Sequence, residues 1–143
     1  MFDTFQDTEE GDTEENPTLV RGRGDSGFDI TYPKTGKDIG KLQISTHGKT
    51  ATLQAIDVDE SHQRQGVATR LYEEAKKELL NRGVTTLGGS LEGSGPVQLR
   101  EKVFGAGNTR YFHGGEEVSA KEAEKIMDVD FGYIRATTTL RSK

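Results

Sequence analysis

HQRQGVATRLYEEAKKELLNRG, residues 62–83, is the stretch on which the reading of this chain turns. A charged, glutamine-rich turn runs directly into a long amphipathic pattern. From Val67, apolar or small residues fall at 67, 68, 71, 72, 75, 79 and 80, which is one face of a helix. Glu73 and Lys77 stand four apart, a spacing that supports it. Asn81-Arg82-Gly83 ends it, with Gly83 suited to the left-handed position past the last turn. At the start of the helix lie Gly66 and Ala68. The first amides of a helix lack internal partners and sit at the positive end of its dipole. Small residues there let an anion approach the backbone. Gln63, Arg64, Gln65, Gly66, Val67, Ala68 and Thr69 therefore read as a cradle for a diphosphate. No Gly-Lys-Ser/Thr follows, so it is not a Walker loop, and it lacks the three spaced glycines of the dinucleotide fingerprint. The competing explanation is that Gly66 and Ala68 serve close packing. The position of the turn between a strand and a crossover helix favours the cradle.

Working outward, residues 27–32 alternate apolar and polar, which is strand patterning. Leu19-Val20 suggests a short strand before them. Residues 33–36 form a turn, 39–45 a second full strand, 47–49 another turn, and 51–58 a third strand carrying Leu53, Ala55 and Ile56. Short connections make these an antiparallel meander. After the helix comes a strand over 84–87, and strand–helix–strand implies parallel pairing through a right-handed crossover. GGSLEGSG, residues 88–95, reads as a flexible loop. Pro96 opens a helix to Phe104, and 109–112 form a strand. Ser119 to Glu122 make a capping box before a helix to about Met127, and residues 131–140 form a last strand. The expected fold class is α/β (α+β), a mixed and mostly antiparallel sheet with helices on both faces.

The net charge of −5 conceals two regimes. Residues 1–15 hold seven acids and no Lys or Arg, leaving the remainder at +2. Residues 1–16 read as an acidic, disordered tail that cannot bury enough surface to offset its ordering entropy. The functional alternative is an acidic arm for a basic protein surface. Residues 17–143 read as one domain. There is no cysteine, so neither disulfide nor thiolate chemistry arises. No apolar run approaches the ~20 residues a membrane span needs, and the N-terminus resembles no signal peptide. A cytoplasmic protein without membrane attachment is expected. Basic residues are dispersed and do not interleave with aromatics, which argues against nucleic acid. His47, His62 and His113 lack metal spacing, so no metal is expected. Arg23-Gly24-Asp25 matches an adhesion tripeptide too short to carry meaning.

The run Gln63-Arg64-Gln65-Gly66-Val67-Ala68 resembles the Gln/Arg-x-x-Gly-x-Gly/Ala motif of the GNAT N-acetyltransferase superfamily. The resemblance extends over about residues 27–104 and is most specific over 55–80. It implies acetyl-CoA or another acyl-CoA as cofactor, with the backbone from Gln65 to Thr69 on the pyrophosphate. Ile56 to Val58 would lie along the pantetheine arm, and a splay between strands 51–58 and 84–87 would admit it. The acceptor would be an amine of a protein or small molecule. A carboxylate at the end of the 51–58 strand would take the amine proton. Asp57, Asp59 and Glu60 are the candidates: Asp57 comes first because it lies within the strand and Glu60 next, while Asp59 and Glu60 both read rather as solvated turn acids.

Two departures from the family pattern follow. Family members commonly carry an Asn after the fifth strand and a Tyr in the next helix as general acid. Here Ser94 stands near the Asn, and Arg100 falls where the Tyr would be. An arginine cannot donate a proton at working pH, so Arg100 is assigned to the leaving thiolate or a CoA phosphate. Tyr72 and Tyr111 are spare phenols, Tyr72 on the core side of its helix. The family also places two helices between its first two strands, where this chain has residues 21–25. The acceptor site is therefore open, or completed by a second subunit of a homodimer, by the tail, or by residues 113–127. The rival reading is a GNAT-fold binding protein that regulates a partner, of a kind that includes phage-encoded accessory proteins.

Overall fold

The computed structural model describes residues 18–62, 66–91, 95–130 and 134–140. The acidic stretch 1–16 lies outside them. The strands are β1 Leu19–Gly22, β2 Gly27–Lys34, β3 Lys37–His47, β4 Thr50–Val58, β5 Thr86–Leu91, β6 Thr109–His113, β7 Glu116–Val118 and β8 Ile134–Thr139. The helices are α1 Val67–Asn81, α2 Gly95–Phe104 and α3 Ala120–Asp130, with a 3-10 turn at Glu60–His62. Among the described residues these strands form one eight-stranded sheet in the order β1-β2-β3-β4-β5-β8-β6-β7. β1 to β4 are the expected meander, each pair antiparallel. β4 and β5 are parallel, as a right-handed crossover through α1 requires.

α1 forms where the periodicity predicts. Val67, Leu71, Tyr72, Ala75 and Leu79 are buried, and they pack on Phe28, Ile30, Leu42, Ile44 and Leu53 from the meander. Each large aliphatic side chain buried here contributes about 1.5–3 kcal/mol. The helix ends in a Schellman arrangement: the Val84 amide donates to the Leu79 carbonyl (3.0 Å) and the Gly83 amide to that of Leu80 (3.1 Å). A second cluster joins Leu91, Val97, Tyr111, Ala123, Met127, Ile134 and Ala136 under α2 and α3. Ser119 caps α3, its hydroxyl accepting from the Glu122 amide at 3.0 Å.

Helices on both faces were expected, and the described helices supply one of them. The buried apolar residues of the strands belong to the two clusters packed under α1, α2 and α3. The opposite side shows half-buried or exposed Asp29, Gln43, Thr52, Ser90 and Thr137. The physical reason is length: between β1 and β2 only residues 23–26 intervene, less than two helical turns. The segment 113–127 does not cover that face either. It forms β7 at the sheet edge and much of α3 on the covered side.

One sequence expectation fails. GGSLEGSG was read as a loop from residue 88, but β5 runs on through Leu91. Gly88 and Gly89 are paired on both sides, with Thr52 and Leu53 of β4 and with Thr137 and Ala136 of β8. A Cβ on Gly89 would stand 3.0 Å from the Leu53 carbonyl oxygen, so glycine is what lets two backbones approach here.

Candidate active site

The parallel ladder between β4 and β5 is short. It runs from Thr50↔Thr86 to Leu53↔Gly89 and stops. β4 continues to Val58 while β5 continues to Leu91, and a cleft of 540 Å³ opens between them. Its walls are residues 52–56 of β4 and 89–91 of β5, with Tyr72 from α1 and Arg135 from β8.

A bulge marks the opening. Gln43 pairs with Ala55 and Ile44 with Leu53, so Gln54 is the extra residue in β4. Leu53 and Ile56 are three residues apart and would face opposite sides of a regular strand. The bulge changes the phase, so both meet the helical side, and Gln54 and Ala55 are consecutive exposed residues. The Gln54 amide nitrogen donates to the Ser45 hydroxyl at 3.0 Å, holding its side chain on the open face. Of the predicted residues, Ile56 lines the cleft and Val58 packs against the core beyond it.

Asp57 is exposed, opposite Lys41 in the ladder with β3. Its phase puts it on the open face, and among the described residues its carboxylate has no hydrogen-bond partner. Glu60 is exposed in the 3-10 turn. Asp59 has another occupation. It lies 3.5 Å from Lys37 Nζ and 3.5 Å from His62 Nδ1. Lys37 above all, with the Ser61 and His62 side chains, holds its carboxyl below the usual value.

Four residues past the 3-10 turn, Gly66 takes φ 82°, ψ 6° and precedes α1 without a side-chain cap among the described residues. The left-handed backbone explains why glycine stands there. Among the described residues nothing lies within 4 Å of where its Cβ would project. Val67 is buried, whereas Ala68 and Thr69 are half-buried at the start of the helix. Gln63, Arg64, Gln65 and Ser94 lie outside the described residues.

Arg100 is fully buried. Its Nη1 donates to Thr138 Oγ1 (2.7 Å) and the Leu87 carbonyl (3.3 Å), and Nη2 reaches the Gly88 carbonyl (3.5 Å). Tyr111 donates its hydroxyl to Glu101 at 2.9 Å. Burial first, then that carboxylate, pushes the Tyr111 phenol well above its ordinary value. Sequence reasoning missed Tyr72 and Arg135 as cleft residues. The helical period marked Tyr72 as inward-facing, but not that the splay lies over it. Among the described residues no group of three or more His, Cys, Asp or Glu is placed to hold a metal. No helix among them is long and apolar enough to cross a membrane.

Comparisons with known proteins agree with this geometry. The Acetyltransferase (GNAT) family model matches residues 1–92. No curated protein matches the sequence. Among solved structures, the ribosomal-protein-S18-alanine N-acetyltransferase of Escherichia coli superposes with a TM-score of 0.60 at 22% identity, over 85% of this chain and 74% of that one. The IAA acetyltransferase of Bacillus cereus gives 0.57 at 19% identity, over 80% and 79%. A GNAT family acetyltransferase of Elizabethkingia anophelis with acetyl-CoA bound gives 0.56 at 18%, over 80% and 77%. At such identities these likenesses speak for the fold alone, and the family match supplies the rest: the chain belongs to the GNAT acetyltransferase family.

Proposed function

We propose that the protein is an N-acyltransferase that moves an acyl group, acetyl in the first instance, from acyl-CoA to an amine. The observation that carries this reading is the continuity of three features. The β4 edge is released from β5 beyond Leu53, the cleft opens beside it, and the uncapped start of α1 follows at a left-handed Gly66. The residues fit the donor substrate. The β4 backbone past the bulge presents strand-type hydrogen-bonding groups to an amide-bearing arm such as pantetheine. The first amides of α1, with Gln63, Arg64 and Gln65 before them and Thr69 behind, suit a pyrophosphate. Asp57 takes the proton from the attacking amine, directly or through water, with Glu60 the next candidate.

The bare sheet face beside Asp57 suits an amine carried on a macromolecule better than an enclosed small molecule. Titration with acetyl-CoA, followed by thiol release over peptide α-amines, lysine side chains and small amines, tests the reading. Micromolar binding with transfer to an amine is expected. Binding without transfer to any amine would favour a GNAT-fold module acting on a partner, and absence of binding overturns the proposal.

A further inference from the structure

Two arginines flank Phe112 on the bare face of the sheet, and their surroundings differ. Arg110 lies over the Phe112 ring, 5.8 Å from its centroid, and is held by Glu117, whose carboxylate oxygens accept from Nη2 (2.7 Å) and Nε (3.1 Å). Arg135 is the register partner of Phe112 on one side and of Ser90 on the other. It is exposed between buried Ile134 and Ala136, so its side chain stands on the face opposite the helices. Among the described residues no carboxylate pairs with its guanidinium, and Glu117, on the strand beyond, is already committed to Arg110. Arg135 also lines the cleft, where it is the one charged side chain among the described lining residues.

Its position along the cleft decides what it can meet. Ser90 is the first residue of β5 past Leu53↔Gly89, where the ladder with β4 ends. Gly66 lies at the other end of the free part of β4, beyond Val58. An acyl-CoA laid along β4 with its pyrophosphate at Gly66 keeps its phosphates at that end. It brings the uncharged pantetheine arm and the acetyl thioester toward Arg135. The donor therefore supplies no anion to this cation. In the acyl-transfer reading the acceptor comes from the bare face, and that face carries an acidic residue, Asp57, on β4 and a basic one, Arg135, on β8. β8 lies two strand spacings from β4, roughly 10 Å.

We infer that Arg135 binds a carboxylate of the acceptor, so that the substrate is an amine carried on a polypeptide with an Asp or Glu side chain a few residues from the reacting nitrogen. This rests on the acyl-transfer reading above and names the substrate class of that same site. On the β4 side Asp57 takes the proton of the amine. On the β8 side the guanidinium receives the carboxylate and so selects which amine is presented to the thioester. Allowing for the reach of the side chains, the strand spacing corresponds to a carboxylate about one to three residues from the amine along an extended chain. The two residues also fix the direction in which the acceptor crosses the cleft, because the reversed chain would set its carboxylate against Asp57.

Matched peptides test it. Peptides with one reactive amine, a lysine or the N-terminus, carry Glu, Gln or a blocked lysine bearing a trimethylammonium group at each of the neighbouring positions in turn. The parent, Arg135→Gln and Arg135→Glu acetylate them from acetyl-CoA. At one position of the series the parent should prefer Glu over Gln in kcat/KM by about fivefold, the size of one ion pair in a half-open cleft. Added salt should shrink that ratio. Arg135→Gln should abolish the preference. Arg135→Glu should turn it toward the cationic peptide, a reversal that mere damage to the sheet does not produce. Both variants should melt near the parent, since the side chain is exposed. A parent that acetylates Glu and Gln peptides equally at every position, or a preference for Glu that survives Arg135→Glu, overturns the inference and leaves the acyl-transfer reading standing. A preference for succinyl-CoA over acetyl-CoA that vanishes in Arg135→Gln, with none among the peptides, puts the carboxylate on the acyl group and likewise overturns it. A parent that binds acetyl-CoA and acylates no amine overturns it together with the acyl-transfer reading.

Discussion

β4 is one strand with two fates. Residues 50–53 are held on both sides, by β3 and by β5, and put Ala51 and Leu53 into the core. Residues 54–58 keep β3 but leave β5, and their exposed members Gln54, Ala55 and Asp57 look out on the open face. Hydropathy alone does not separate the halves, since Thr-Ala-Thr-Leu and Gln-Ala-Ile-Asp-Val both mix polar and aliphatic residues. The difference is one extra residue at Gln54, which turns the strand where its partner Gly89 ends the ladder. The lesson is that a single bulge divides a strand into a part that stabilises and a part free to meet a ligand.

Substitutions along β4 and at the adjoining helix start should respect that division. The largest effect is expected at Asp57 in the free half. Asp57→Asn should slow acyl transfer by about 10²–10⁴-fold, or roughly 3–5 kcal/mol at the barrier. Its denaturant midpoint and acetyl-CoA affinity should barely move. Steady-state rates beside a urea titration would show it, and a variant with the parent's rate would pass the role of base to Glu60.

In the held half, Leu53→Ala should do the reverse. Leu53 is 7% exposed against the core, and a truncation of this kind costs about 2–5 kcal/mol. Chemical denaturation should record that loss. A stability within experimental error of the parent would mean that the two halves are not distinguished by packing.

Gly66, beyond the free end, sharpens the comparison because both costs meet there. Its φ of 82° disfavours any residue with a Cβ, so Gly66→Ala should lose about 1–2 kcal/mol of stability. Asn tolerates this conformation, so Gly66→Asn should keep more stability than Gly66→Ala. Its larger side chain should still weaken acetyl-CoA binding, read by calorimetry. Unchanged affinity in a folded Gly66→Asn protein would remove the cradle.

The smallest effect is expected at Asp59, just past β4. Its folded-state pKa is lowered, chiefly by Lys37. A lowered carboxyl contributes stability above its unfolded value of ~3.9 and loses it as pH falls through the folded value. Lys37→Ala should raise the Asp59 midpoint in an NMR titration. Any stability difference from the parent should vanish in strong acid, where both forms are protonated. A midpoint unmoved by the substitution would mean that the ion pair is not what lowers it.

Much of this was legible in residue order because it depends on local chemistry. The 3.6-residue period placed α1, and Gly83 marked its end. Alternation marked the meander, and a strand–helix–strand run allowed only a parallel crossover. Gly66 was recognised as special, though its left-handed φ is a stricter reason than close approach alone. Other features depend on which strands become neighbours. Gly88 and Gly89 look like a loop until β4 and β8 lie alongside, at which point the missing side chains permit a strand. The phase change at Gln54 is invisible in a run of small and polar residues, because a bulge is defined only against its partner β3. Tyr72 and Arg100, 28 positions apart in the chain, meet only when α1 and α2 pack on the same face of the sheet. Period and turn chemistry act over a few residues and are written in order along the chain. The register, the cleft and the buried charge arise from contacts between distant segments, and only their packing decides them.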